Sequence, residues 1–161
     1  MKYDCSICGK KHEMYFGIKA ELSQKISQML ENNPERVVES DGLYMIDKSK
    51  VVIPAQISIG TEFEEDFFYQ TWVECDAKEF IKFSEEYKSE RGGKISGKLY
   101  DNLIPYFPET INLKCLVEYR ENMKSSDYPT IHIVEESELR SMQEKEISKV
   151  ELETLMNRVY H

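Results

Sequence analysis

Positive charge is in short supply in this chain. Its 21 lysines and arginines stand against 30 acidic residues, a net charge of −9. That balance argues against nucleic acid as a partner, because phosphate backbones are bound by basic surfaces. Long apolar runs are missing as well. No stretch approaches the roughly 18 residues of a membrane-crossing helix. The opening "MKYDCSICGKKH" has no apolar signal core, so a cytoplasmic protein away from membranes is expected. There are only three histidines, and no Ser-His-Asp or Cys-His set can be nominated from them. A phosphate loop is lacking: "RGGKISGK" has glycines and lysines without the spacing, and reads as a turn between a helix and a strand. In a cytoplasmic chain four cysteines point to thiols or metal ligands rather than disulfides.

What is present is the material of a core. Ten tyrosines, seven phenylalanines and a tryptophan exceed what a disordered chain carries. A length of 161 residues suits one domain, with a knuckle or hairpin over 1–16 and an α+β core over 17–161. Ile18, Leu22, Ile26 and Leu30 recur every four residues, with Met29 beside them. They predict a helix from Ile18 to Asn32, stopped by Asn33-Pro34. Asp76 and Glu79 offer a capping box for a second helix from Ala77 to Ser89, with Phe80, Phe83 and Tyr87 inward and Gly92-Gly93 at its end. Ser148 and Glu151 offer another for a helix from Lys149 to Tyr160, striped by Leu152, Leu155, Met156 and Val159. A short helical turn is expected over Glu138 to Lys145.

Between the helices the period changes to two. In "VVIPAQISI" Val51, Ile53, Ala55, Ile57 and Ile59 share a face, and Pro54, which cannot donate to a ladder, predicts an edge or a bulge. "FFYQTWVEC" has aromatic residues on both faces, so both should be covered. "INLKCLVEY" turns Ile111, Leu113, Cys115, Val117 and Tyr119 inward, and "GLYMID" and "TIHIVE" are shorter strands. The expected class is α+β: a mainly antiparallel sheet packed with about three helices, plus an N-terminal Cys-x2-Cys knuckle.

That knuckle is the most chemically pointed stretch. Cys5 and Cys8 sit three apart, Gly9 follows, and His12 comes four later. Zinc needs four ligands, and Cys-x2-Cys supplies two from one tight turn, with His12 as a third. The fourth is missing locally. Cys75, Cys115, His132 and His161 are the remaining candidates of the usual types. His161 closes the sequence and is expected to fray, and His132 lies on an outward strand face. Two other readings stand beside zinc. A redox pair would need Cys-x-x-Cys opening a helix, and "GKKHEM" carries no helical stripe. A glycine turn with two spare thiols needs nothing further.

Several runs resemble the bacterial family catalogued as domain of unknown function 2199, over nearly the whole length. "CSICGKKH" is similar to its Cys-x-x-Cys-Gly-x-x-His start, and "LYMID" to its strand before the first long hairpin. "TWVECDAKEF", through Trp72 and Phe80, resembles a Trp-Val strand running into a capped helix. "GKLYDNLIPYFPETINLK" resembles its most recognisable run, through Gly97, Leu99, Pro105, Pro108, Thr110, Leu113 and Lys114, and the tail fits at Leu139, Gln143 and Ile147. Pro54-Ala55 stands where the family has Arg-Gly, Tyr128-Pro129 where it has Arg-Pro, and Lys98 where an aromatic is common. An anion site built on those arginines would be largely lost here. The resemblance implies a coherent fold and no particular activity.

Two functional expectations follow. The first is a non-enzymatic domain that binds another protein through an acidic surface, an immunity or inhibitor protein facing a toxin being one form, with any zinc structural. "TEFEED" (Glu62, Glu64, Glu65, Asp66) and "EESE" (Glu135, Glu136, Glu138) are the densest acidic runs. The second is a zinc-dependent enzyme using Cys5, Cys8 and His12 with an open fourth position. Asp47, beside Lys48, is the carboxylate to inspect, with turn capping its ordinary role. "PYFPET" is expected to form a stiff corner closing the core.

Overall fold

The structure, a computed structural model, describes residues 1–103, 107 and 109–161. Its centre is a ring of five strands. β6 (Lys50–Ile59) and β7 (Phe67–Asp76) pair antiparallel along their whole length, from Lys50 opposite Asp76 to Ile59 opposite Phe67. β8 (Gly93–Leu99) continues antiparallel from β7, β9 (Lys114–Tyr119) from β8, and β10 (Thr130–Ile133) from β9. β10 then closes on β6 in parallel, Thr130 opposite Gln56. Period-two alternation drives this closure. Val51, Ile53, Ala55, Ile57 and Ile59 of β6 all face the core, joined by Phe67, Val73, Cys75, Ile95, Leu99, Cys115, Val117, Ile131 and Ile133. Gly97 is required by crowding: a Cβ there would lie 2.5 Å from Val73 Cγ1 and 3.0 Å from the Glu74 carbonyl oxygen.

The sheet is therefore mixed rather than antiparallel throughout. A second parallel seam joins β3 (Gly17–Ile18) to β7, and β5 (Leu43–Ile46) and β4 (Val37–Ser40) extend the sheet from β6. Pro54 is not on an edge strand. β5 pairs with β6 only as far as Val52, and β10 begins at Gln56. Pro54 falls in the gap where the two diverge. The Gln56 N–H points away from β7, to the Pro129 carbonyl, and Pro54 shares that parity. The missing donor thus faces a place where no ladder runs.

Four α-helices cover the ring among the described residues, one more than the expected three. α1 (Gln24–Asn32) is shorter than its apolar stripe predicts. Ile18 belongs to β3 instead, and Leu22 and Leu30 stay partly exposed, while Ile26 is fully buried with Ile46, Val52, Trp72 and Tyr100 on the outer face of the ring. Trp72 Nε1 donates to the Glu21 carbonyl at 2.8 Å, and Ser23 donates to Asp101 rather than capping the helix. The strand pairing of residue 18 thus outcompetes helical periodicity. Asn33-Pro34 does end the helix, with Pro34 opening a 3-10 turn.

α2 (Ala77–Glu86) is capped by Asp76, which accepts from the N–H groups of Lys78 and Glu79. It stops at Tyr87, before the predicted glycines. Gly92, left-handed at φ +70, instead serves a turn closed by its own N–H to the Lys88 carbonyl, and Gly93 begins β8. The run "RGGKISGK" is therefore largely strand, not turn. Its glycines obscure a strand packed closely at Gly97 against Val73 and the Glu74 backbone, and at Gly93 against the Phe83 ring, which a side chain there would displace. β9 begins later than its alternation suggests, because residues 110–113 form a turn with Asn112 at φ +65. Of the "PYFPET" corner, Phe107 is buried; Pro105, Tyr106 and Pro108 lie outside the described residues.

α3 (Glu138–Gln143) lies along β10. The Gln143 amide accepts from the Ile133 N–H and donates to the Ile131 carbonyl, both at 2.8 Å. α4 (Lys149–Tyr160) begins at the predicted Ser148–Glu151 capping box and buries Leu152, Leu155 and Met156; the side chain of Val159 lies outside the described residues. Among the described residues no helix is long and apolar enough to cross a membrane.

Candidate metal centre

The N-terminal hairpin has little apolar material of its own. β1 (Lys2–Asp4) and β2 (Lys11–Glu13) are three residues each, with Tyr3 opposite His12. The turn between them is drawn by two backbone bonds, Cys5 N–H to the Lys10 carbonyl and Gly9 N–H to the Cys5 carbonyl, both 2.9 Å. Gly9 has φ +68 and nothing within 4 Å of the position a Cβ would take. Conformation, not crowding, calls for glycine there. The turn puts Cys5 and Cys8 on one side, and β2 carries His12 to the same place.

The fourth donor comes from the far end of the chain. The Sγ atoms of Cys5 and Cys8 and one ring nitrogen each of His12 and His161 all lie within 4.8 Å of one another. Cys5 Sγ is 3.2 Å from His161 Nε2, although the residues are 156 positions apart, and Cys8 Sγ is 3.1 Å from His12 Nε2. Bonds of about 2.3 Å to sulfur and 2.0–2.1 Å to nitrogen imply donors roughly 3.3–3.8 Å apart in a tetrahedron. The Cys5–His161 and Cys8–His12 pairs, at 3.2 and 3.1 Å, sit just short of that range and no pair is farther apart than 4.8 Å, so small shifts would let the set hold a metal.

His161 is thus corrected from a frayed end to a member of the cluster. α4 delivers it, and three contacts hold the helix end. Its N–H donates to the Asn157 carbonyl at 3.1 Å, Tyr3 Oη donates to Asn157 Oδ1 at 2.9 Å, and Tyr160 stacks on His12 with centroids 4.2 Å apart. Local spacing carries no trace of this meeting. The only sequence signal was the shortage of a fourth ligand near Cys5.

Electrostatics favour thiolate here. Burial of Cys5 would raise its pKa, but the N–H groups of Cys8 and Ile7, with the side chains of His161 and Cys8, outweigh it and hold the thiol down at about 7. Cys8 lies at the surface. Cys75 and Cys115 are elsewhere, inside the ring, and burial pushes each up to about 12. His132 pairs with Glu118 at 2.7 Å on the outer face. Asp47 sits in a turn at φ +49 and forms a two-pronged ion pair with Arg36, which holds its carboxyl below the ordinary value. Neither residue approaches the cluster.

The chain belongs to a bacterial family, and the match spans the hairpin, the ring and α3. The family model described as an uncharacterized protein conserved in bacteria (DUF2199) covers residues 4–147. It includes Cys5, Cys8 and His12 and ends before α4 and His161. No curated protein matches the chain, and no solved structure does.

Proposed function

We propose that this is a zinc-stapled, protein-binding domain of the cytoplasm. One structural zinc ion is held by Cys5, Cys8, His12 and His161, and the domain recognises another protein through an acidic surface, as an immunity or inhibitor protein meets a toxin. The observation that carries the structural half is the fourth donor. A catalytic zinc keeps three protein ligands and a place for water. With His161 in the set, four protein ligands complete the coordination and water has no place. The rival reading, a zinc-dependent enzyme on Cys5, Cys8 and His12, needs that position open, and His161 counts against it. Two thiolates and two imidazoles gathered within 4.8 Å of one another are a ligand set that suits zinc.

Charge supports the binding half. The chain carries −9, and Glu62, Glu64 and Glu65 stand exposed on one loop. Elemental analysis of protein purified without chelator or a metal-affinity tag should find one zinc per chain. Capture with proteins encoded beside its gene should recover a stoichiometric partner. Zinc well below one equivalent overturns the structural half. Turnover of a hydrolase substrate that vanishes in Cys8→Ser, with no partner recovered, overturns the binding half.

A further inference from the structure

The acidic loop after β6 is anchored rather than loose. Thr61 bridges to Ile147, the Glu62 N–H donates to the Ile147 carbonyl at 3.1 Å, and Thr61 Oγ1 donates to the Glu65 carbonyl at 2.7 Å while accepting from the Phe63 N–H. These bonds use backbone and hydroxyl groups and leave the carboxylates of Glu62, Glu64 and Glu65 unused, while Asp66 accepts from the Ser58 hydroxyl at 3.4 Å. Glu62, Glu64, Glu65 and Asp66 are all exposed, and Glu146 joins them because its Cγ lies 3.4 Å from where a Cβ of Gly60 would be. None of Glu62, Glu64 and Glu65 forms an ion pair with a described residue.

Beside this rim runs a groove of about 630 Å³, its wall made by Met1, Met14, Tyr15, Phe16 and Phe63 together with Glu64 and Glu65. Phe16 and Phe63 meet edge to face, centroids 5.8 Å apart, and Tyr15 is 49% exposed. An apolar floor with unneutralised carboxylates along one side selects for charge of the opposite sign around an apolar anchor. An acidic or neutral segment would leave those carboxylates unanswered or repelled.

We propose that this groove docks a short basic segment of another protein. One bulky apolar side chain of that segment inserts at Phe16 and Phe63, and its lysines or arginines lie against Glu62, Glu64 and Glu65. The proposal rests on the protein-binding reading and gives that reading a surface and a partner chemistry.

The test uses the full chain and a capped synthetic peptide, Lys-Arg-Leu-Phe-Arg-Lys, titrated by calorimetry and by amide chemical shifts. Two control peptides replace the basic residues with glutamate or Leu-Phe with Gly-Gly. The basic apolar peptide should bind, with shifts centred on Tyr15, Phe16 and Phe63, and each control should bind at least tenfold more weakly. Glu64→Lys/Glu65→Lys should weaken binding at least tenfold and Phe63→Ala at least fivefold, whereas the equal charge change Glu85→Lys/Glu86→Lys on α2 should alter it less than twofold. No binding of the basic peptide, equal binding of a control, or equal loss in both charge variants would overturn the groove. A natural partner that binds the Glu64→Lys/Glu65→Lys variant undiminished would overturn it too, while leaving the protein-binding reading intact.

Discussion

Replacing His161 with alanine removes one donor and disturbs little else. The imidazole is exposed, and its ring contact within the cluster is an edge-on approach to His12 with centroids 6.1 Å apart. α4 keeps its capping box, its buried face and the Tyr3–Asn157 bond. A structural zinc centre contributes about 10–16 kcal/mol at neutral pH. An even share among four ligands is roughly 2.5–4 kcal/mol, which is about two to three decades of affinity. His161→Ala should therefore bind zinc about 10²- to 10³-fold more weakly when competed against a chromophoric chelator. Its cobalt derivative should lose the strong visible bands of a four-coordinate site as water takes the vacant place. The metal-free forms of variant and wild type should melt close together, since the alanine removes an exposed ring and its one 3.2 Å contact with Cys5 Sγ rather than core packing. Zinc affinity within threefold of wild type would refute the assignment of His161 as a ligand.

Thiol reactivity separates the two cysteine pairs: zinc-loaded protein should show no fast-titrating thiol, chelator should release two, Cys5 and Cys8, and Cys75 and Cys115 should appear only on unfolding, because both are buried and raised to about 12. Four fast thiols in the folded, chelated protein would contradict this. Gly97→Ala should lower stability by about 1–3 kcal/mol in denaturant titration, since its Cβ would fall 2.5 Å from Val73 Cγ1 and 3.0 Å from backbone oxygen; an unchanged midpoint would show that the ring relaxes freely. Lys145, then the Ser148 N–H and hydroxyl, hold the Glu151 carboxyl at about 2, below its ordinary 4.5. Its contribution is therefore complete above about 4.5 and is lost as the pH falls through about 2. Glu151→Gln should flatten that part of the acid-unfolding curve, and a curve superposable on wild type would contradict the linkage.

Where sequence and structure agree, the determinants are local. The capping box at Ser148 and Glu151 specifies the start of α4 within four residues, and Asp76 does the same for α2. Period-two alternation in β6 names its inward residues, because burial on one face of a strand leaves little choice of register. What failed depends on contacts between distant segments. Pro54 is interior because β5 and β10 happen to diverge beside it, and no residue near Pro54 encodes that divergence. The stripe from Ile18 to Leu30 is sound helical periodicity, yet pairing of Gly17 and Ile18 with Phe68 and Tyr69 claims its first turn. β8 was hidden by glycines whose purpose is close approach. At the site, Cys5, Cys8 and His12 were legible because one turn holds them, whereas His161 arrives only when α4 packs back against the hairpin.

X-ray absorption at the zinc edge, on protein carrying its native metal, tests the central claim most directly. Four protein ligands predict two sulfur scatterers at about 2.3 Å and two imidazole nitrogens at about 2.0–2.1 Å, with no oxygen in the inner sphere. A single imidazole with an inner-sphere oxygen would contradict the closed structural centre and return the cluster to the open, catalytic kind.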